Sequence, residues 1–314
     1  MVNFQIRRLA APAAALALAA AAAPANAVFI DNGVAGDGFW QVDVLDGGET
    51  RVANLDPAGP MGTTNIVFDY FHYVDVGADG GAVRLGDTNV TSPAALVGPN
   101  RVMSAGDFAG ENGTISWQAT SWIDPGSQLY LTELVFSSEL PFGTVRLIQY
   151  LDEDVLGFPD DVLVVLGTPG DADFQLLTID NDNDVGVAQA AGYLSAVGMS
   201  YIGWAADRYV DLRSAITGAG ASYSVPGVVD IADLVPMTDP RFPGLPAYGP
   251  ADITSAIAFD LDPSARYASV LLSLGGSPTG APPPSGGGTV SEPASLALLG
   301  AGLAGLGWRR RRAR

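Results

Sequence analysis

Residues Thr114–Ile123 read TISWQATSWI. Ile115, Trp117 and Ala119 fall on one side of an extended chain, and Thr114, Ser116, Gln118 and Thr120 on the other. A period of two marks a half-buried β-strand, because successive side chains point to opposite faces of the pleat. Ile253–Leu261 alternates likewise, with Ile253, Ile257, Phe259 and Leu261 together. Asp262-Pro263-Ser264-Ala265 then turns the chain into Tyr267–Leu274, which predicts a closing hairpin. Further strands are predicted over Ile66–Val74, Leu129–Ser137, Thr144–Leu151, Val162–Leu166 and Phe174–Ile179. Asp124-Pro125-Gly126 and Pro141-Phe142-Gly143 supply turn chemistry between consecutive runs. Many short strands at close spacing predict an all-β, antiparallel β-sandwich, with length enough for a large double sandwich. One stretch differs. Ala188–Ile216 is rich in alanine, and Tyr209, Leu212 and Ile216 have helical spacing, so one short helix is predicted over Ala205–Ala215. Val225–Pro250 holds six prolines and reads as an irregular excursion over the surface.

The chain has 314 residues, 15 basic side chains, all arginine, and 34 acidic ones, for a net charge of −19. Seven of the arginines lie in the two ends (Arg7, Arg8, Arg309–Arg312 and Arg314), so the middle is more acidic still. Such a surface repels a polyanion, and nucleic acid is excluded as a partner. With no cysteine, disulfides, zinc–thiolate sites and iron–sulfur clusters are excluded too. The fold must then be held by core packing, with bound ions as a supplement.

Both ends read as addresses. Residues 1–27 carry Arg7 and Arg8, an apolar run over Leu9–Ala23, and Ala25-Asn26-Ala27. That order of charged, apolar and small residues predicts a signal peptide with an N-terminal signal helix, cleaved at Ala25 and Ala27. The secreted body then spans 28–274. Residues 275–290 are a Gly/Pro/Ser linker, and 291–314 close the chain with Ser291-Glu292-Pro293-Ala294, an apolar helix over Ser295–Trp308, and Arg309–Arg312. An apolar helix followed by arginines is a stop-transfer pattern. It gives only about 22 Å of helix against a ~30 Å hydrocarbon core, which suits a transient inner-membrane association. A plain C-terminal anchor is the competing reading.

SEPASLALLGAGLAGLGWRRRRAR resembles a PEP-CTERM sorting signal, with Ser291 standing where the family has its leading proline. Glu292, Pro293 and Arg309, Arg310, Arg311 and Arg312 match the motif. The resemblance implies recognition and removal by an exosortase-type membrane protease, in Gram-negative bacteria that make exopolysaccharide and biofilm matrix. The segment Leu147–Asp180 also resembles one in other PEP-CTERM proteins, and it brings no catalytic residues with it.

Two constellations are candidates for calcium. Asp180, Asp182 and Asp184 in Thr178–Gly186 place carboxylates at i, i+2 and i+4 of a tight loop. Calcium is hard and takes six to eight oxygens, which Asp and Asn supply. The loop departs from an EF-hand: Val185 occupies the turn glycine and Ala191 the bidentate glutamate. The weaker set is Asp152 and Asp154 with Asp160 and Asp161 across a Gly157-Phe158-Pro159 turn. The two sets flank one strand pair, so a shared edge is open to them. A solvated acidic turn is the structural alternative for each.

His72, the only histidine, shares a predicted face with Ile66, Phe68 and Tyr70 and reads as a core or sheet-face residue. No G-x-S-x-G occurs. Paired-carboxylate glycoside chemistry is the hydrolytic route left open. Trp40, Trp117, Trp122 and Trp204 are candidates for stacking on sugar rings, although Trp117 faces apolar neighbours. The expectation is an exported, non-catalytic protein of the cell surface or matrix, structural or adhesive within exopolysaccharide. The alternative is a carbohydrate-active enzyme on a β-sandwich scaffold.

Overall fold

A computed structural model describes residues 27–31, 40–55, 67–77, 81–124, 129–153, 160–171, 174–181, 188–218 and 236–276. The signal segment up to Asn26 and the linker and tail beyond Gly276 lie outside them. No helix among the described residues is long and apolar enough to cross a membrane.

In chain order the strands are β1 (Val28–Asp31), β2 (Trp40–Val44), β3 (Thr50–Leu55), β4 (Val67–Asp75), β5 (Val83–Arg84), β6 (Asn89–Gly98), β7 (Arg101–Gly110), β8 (Gly113–Ile123) and β9 (Tyr130–Ser138). Then follow β10 (Arg146–Glu153), β11 (Asp161–Leu166), β12 (Gln175–Asp180), β13 (Ala188–Val197), β14 (Met199–Arg208), helix α1 (Tyr209–Thr217), β15 (Pro236–Met237), β16 (Ala247–Ala251), β17 (Ile253–Leu261) and β18 (Tyr267–Gly276). They form two antiparallel sheets, a sandwich-like all-β fold as the alternation predicts. One sheet runs β1-β2-β3-β4-β10-β17-β14, with β5 on β4; the other runs β15-β16-β11-β12-β13-β18-β9-β8-β7-β6. Ile115, Trp117, Phe136, Leu272, Leu147 and Phe259 meet in the main core between them. Each large side chain buried there contributes about 1.5–3 kcal/mol.

Two local expectations change. The Asp262–Ala265 turn does not close a hairpin: β17 pairs with β10 and β14, while β18 pairs with β13 and β9 in the opposite sheet. Turn residues fix a reversal of direction, but both strands have stronger partners elsewhere, and β17 is buried along nearly its whole length. The helix starts later than predicted. Ala205–Arg208 continue β14, paired residue by residue with Ala256–Ile253 of β17, so cross-strand pairing overrides alanine's helical preference. From Tyr209 the helix lays Leu212 and Ile216 on the outside of the first sheet, over Phe71, Ile148 and Tyr150. The predicted surface excursion is described over 236–251, where Met237 and Phe242 cover apolar residues on the outside of the second sheet.

The segment between β2 and β3, Asp46-Gly47-Gly48-Glu49, is a polar turn buried throughout. Asp46 Oδ1 accepts from Ala94 N of β6 at 2.5 Å, and Gly47 N donates to Ser104 Oγ of β7 at 2.9 Å. The Tyr130 hydroxyl of β9 donates to Gly48 O at 3.2 Å. His72 Nδ1 of β4 donates to Gly47 O at 2.9 Å. The turn is thus bonded to strands of both sheets. Its backbone reverses in the left-handed region, with φ of 76° at Gly47 and 70° at Gly48. A Cβ on Gly48 would stand 2.6 Å from Thr132 Cγ2 and 2.8 Å from Ser121 Oγ.

Gly48→Ala is therefore expected to cost roughly 2–4 kcal/mol, from combined strain and overpacking. Gly244 shares a positive φ, 84°, but has nothing within 4 Å of its Cβ position, so Gly244→Ala should cost only about 1–2 kcal/mol. Urea unfolding of the two variants checks the difference; equal losses would show that the turn is not tightly packed.

Candidate functional site

The buried turn brings together the chain's one histidine and, among the described residues, the most deeply enclosed ion pair. The Glu49 side chain has no solvent exposure and accepts from Arg84 Nε at 3.0 Å, Arg84 Nη2 at 2.5 Å and Gly86 N at 3.2 Å. Arg84 also stacks on Phe71, its guanidinium carbon 3.8 Å from the ring centroid. Burial pushes the Glu49 carboxyl up to about 7, against the pull of Arg84 and the Gly86 N–H. Sequence reading passes over Glu49, since nothing in Asp46–Glu49 marks a buried acid and its partner lies 35 residues away.

His72 is fully buried, as the alternation predicts, beside Tyr70 in an edge-on contact of 4.9 Å between ring centroids. Its Nδ1 bond to the Gly47 carbonyl fixes the tautomer, because a carbonyl can only accept. Nε2 is then a lone-pair acceptor, and no partner reaches it among the described residues. Burial draws the imidazole down to about 4; Arg84 adds to that and the Gly47 bond opposes it. Across the strands His72 faces Gln149, whose Nε2 donates to the Tyr70 hydroxyl at 2.9 Å. This is a buried polar interior, suited to holding structure in place.

The acidic candidates separate. Asp152, on β10, stands directly opposite Asp69 of β4 and Thr254 of β17, in one row with Asp207 of β14. Arg213 of α1 donates to Asp69 Oδ2 at 3.0 Å. Asp161, with Asp160 just before it, opens β11 in the other sheet, where it is the direct cross-strand partner of Asp180. One residue of each predicted set therefore meets at the end of β11 and β12. Asp154, Asp182 and Asp184 lie outside the described residues. Among the described residues no three acidic or histidine side chains are grouped to hold a metal ion. Of the four tryptophans considered, Trp117 and Trp204 are core, at 2% and 7% exposure, and Trp122 is partly exposed. The Trp40 side chain is outside the description.

Residues 289–312 match the family model of the PEP-CTERM protein-sorting motif. The chain thus carries a PEP-CTERM sorting motif, in which Ser291 stands in the place of the leading proline; the motif implies export, a membrane-anchored precursor and processing by an exosortase-type system. No curated protein matches the chain. A solved structure of a bacterial glucoamylase complexed with acarbose matches 83% of this chain and 35% of its own length, about a third, at 10% identity and a TM-score of 0.44. At that level the likeness bears on neither fold nor activity.

Glu49 and His72 tie stability to pH with opposite signs. The folded value of Glu49, about 7, lies above its ordinary 4.5, so the folded state holds the extra proton in between. Its stabilisation is full below pH 4.5 and is lost as pH rises to 7. The folded value of His72, about 4, lies below its ordinary 6.5, so its stabilisation is full above pH 6.5 and is lost as pH falls to 4. Between pH 4.5 and 6.5 the slopes oppose, each at most about 1.4 kcal/mol per pH unit. His72→Gln is expected to leave stability falling with rising pH across that window, and Glu49→Gln to leave it rising. Urea midpoints measured through the window check both; slopes unchanged from the parent would sink the assignment.

Proposed function

We propose that this is an exported, non-catalytic protein of the cell surface or extracellular matrix, with a structural or adhesive role within exopolysaccharide. The sorting motif at residues 289–312 carries the reading. The predicted signal peptide ending at Ala27 agrees with it. On this reading the tail holds the precursor at the inner membrane until an exosortase-type protease removes it. The enclosure of His72 supports a non-catalytic body, because histidine-based nucleophilic catalysis needs that ring in contact with substrate. The enclosure of Glu49 supports it too, since this strongly shifted acid is spent on an internal ion pair.

Calcium is the ion we propose as glue. A strongly acidic body stays soluble and can join an anionic polymer only through cations. The meeting of Asp161 with Asp180 supports a shared site at the end of β11 and β12 over two separate ones.

Intact-mass analysis of the exported protein should show loss of everything beyond about Ser291. Retention of Arg309–Arg312 on the mature chain would favour a permanent anchor. In a separate measurement, calcium should raise the melting temperature of the processed protein by several degrees over chelator. Coincident melts would remove the ion from the proposal and leave the sorting reading in place.

A further inference from the structure

We propose that the tip of the β6–β7 hairpin, at Leu96, Val97 and Pro99, rests on the phospholipid surface while the precursor is tethered, an inference that rests on the membrane-held precursor of the reading above and names the surface its body meets. Leu96 and Val97 are 60% and 50% exposed, and Ala95 and Pro99 are exposed beside them. Among the described residues no other two consecutive large apolar side chains are exposed. Pro99-Asn100 reverses the chain between Gly98 and Arg101, with Asn100 in the left-handed region at φ 49°. The apolar side chains thus sit at a chain reversal, at one end of the sheet.

That end is the one from which the chain leaves for its sorting motif. Leu274 of β18 is level with Tyr130 of β9, and Tyr130 with Ile123 of β8. Ile123 is one step beyond the Trp122–Arg101 pair of β8 and β7. From β18 to β6 are four strand spacings, about 19 Å. β18 closes at Gly276, and the apolar run of the tail opens at Ser295. Nineteen residues of chain span at most about 65 Å, so the body of the precursor cannot stand farther than that from the bilayer, and it is held by this end. A tether makes binding intramolecular, so a contact too weak to hold free protein still forms.

Charge and edge chemistry select lipid over another chain. Asn89–Gly106 contains no acid and one cation, Arg101, in a chain of net charge −19. Arg101 is exposed at the foot of the tip, with Glu133 of β9 and Asp124 at the end of β8 as its acidic neighbours. The apolar side chains, rather than charge, therefore supply the attraction. A phospholipid interface takes up such side chains below its headgroups, and an arginine beside them reaches phosphate. Strand addition by a second chain is the other use of an outermost strand such as β6. β6 is spoiled for it: Pro93 has no N–H to donate, and the pairing with β7 shifts register at Val90/Ser92, Ser92/Ala95 and Leu96/Gly98.

The chain has no cysteine, so a single introduced one carries an environment-sensitive fluorophore such as nitrobenzoxadiazole. Full-length precursor is reconstituted into vesicles of phosphatidylethanolamine and phosphatidylglycerol. The label on Val97→Cys should brighten several-fold and be quenched by nitroxide-bearing lipid. The label on Val197→Cys, 56% exposed at the opposite end of the sheet, should stay water-like. Pro99→Cys gives a second label position on the tip, and Leu96→Ser beside the Val97 label should cut the gain about twofold. Tip labels as water-like as the Val197 label, on precursor that floats with the vesicles, would overturn the proposal and leave the tethered-precursor reading standing. Brightening that vanishes when the protein is diluted to one copy per nanodisc would assign the tip to a second copy and overturn it as well. Precursor that fails to float would overturn both.

Discussion

The Asp46–Glu49 turn is a polar segment buried where two sheets meet, and a buried amide or carboxylate is tolerated only if it is bonded. Apolar packing between sheets is non-directional and would allow them to slide. Hydrogen bonds from Ala94, Ser104, Tyr130 and His72 do not, because each demands its own distance and angle. Ser121 and Thr132, whose hydroxyls pair at 3.1 Å, close around Gly48 from the second sheet. The relative placement of the sheets follows from the need to satisfy this one turn.

From there a chain of charge and ring contacts runs outward along β4. Glu49 holds Arg84, Arg84 lies on Phe71, and the Arg213 guanidinium stands 5.8 Å from the same ring while it binds Asp69. Phe71 is thus flanked by two cations, each with its own carboxylate. A buried ion pair adds little net stability, since desolvation offsets the attraction, but losing one partner strands the other at a cost of about 3–5 kcal/mol. The arrangement selects a single seating for β5 and α1 on the first sheet.

Much of the architecture was legible as alternation. Thr114–Ile123 became β8 with its apolar side inward, and Ile253–Leu261 became β17 at the same bounds. What failed was partner choice. Asp262-Pro263-Ser264 reverses the chain whether the next strand joins the same sheet or the facing one, so local chemistry cannot distinguish a hairpin from a crossover. Ala205–Arg208 misled in a similar way: alanine favours a helix in isolation, and β17 supplies the ladder that overrides it. His72 was readable as interior because its neighbours alternate. Glu49 was not, because burial of an acid depends on an arginine far along the chain and on a turn whose enclosure only tertiary structure reveals. The acidic residues were legible in composition; that Asp152 falls on one sheet while Asp161 faces Asp180 on the other was not.

The last strand of the body, β18, is not an edge. It lies between β13 and β9, near the middle of the wider sheet. Both neighbours precede it in the chain, so the wider sheet cannot be completed until Tyr267–Gly276 emerges. Such late, long-range zippering makes for slow maturation, and it suits a polypeptide threaded through a translocon before it acquires shape. A strand placed there works as a latch, closing the wider sheet only once the chain up to Gly276 is at hand.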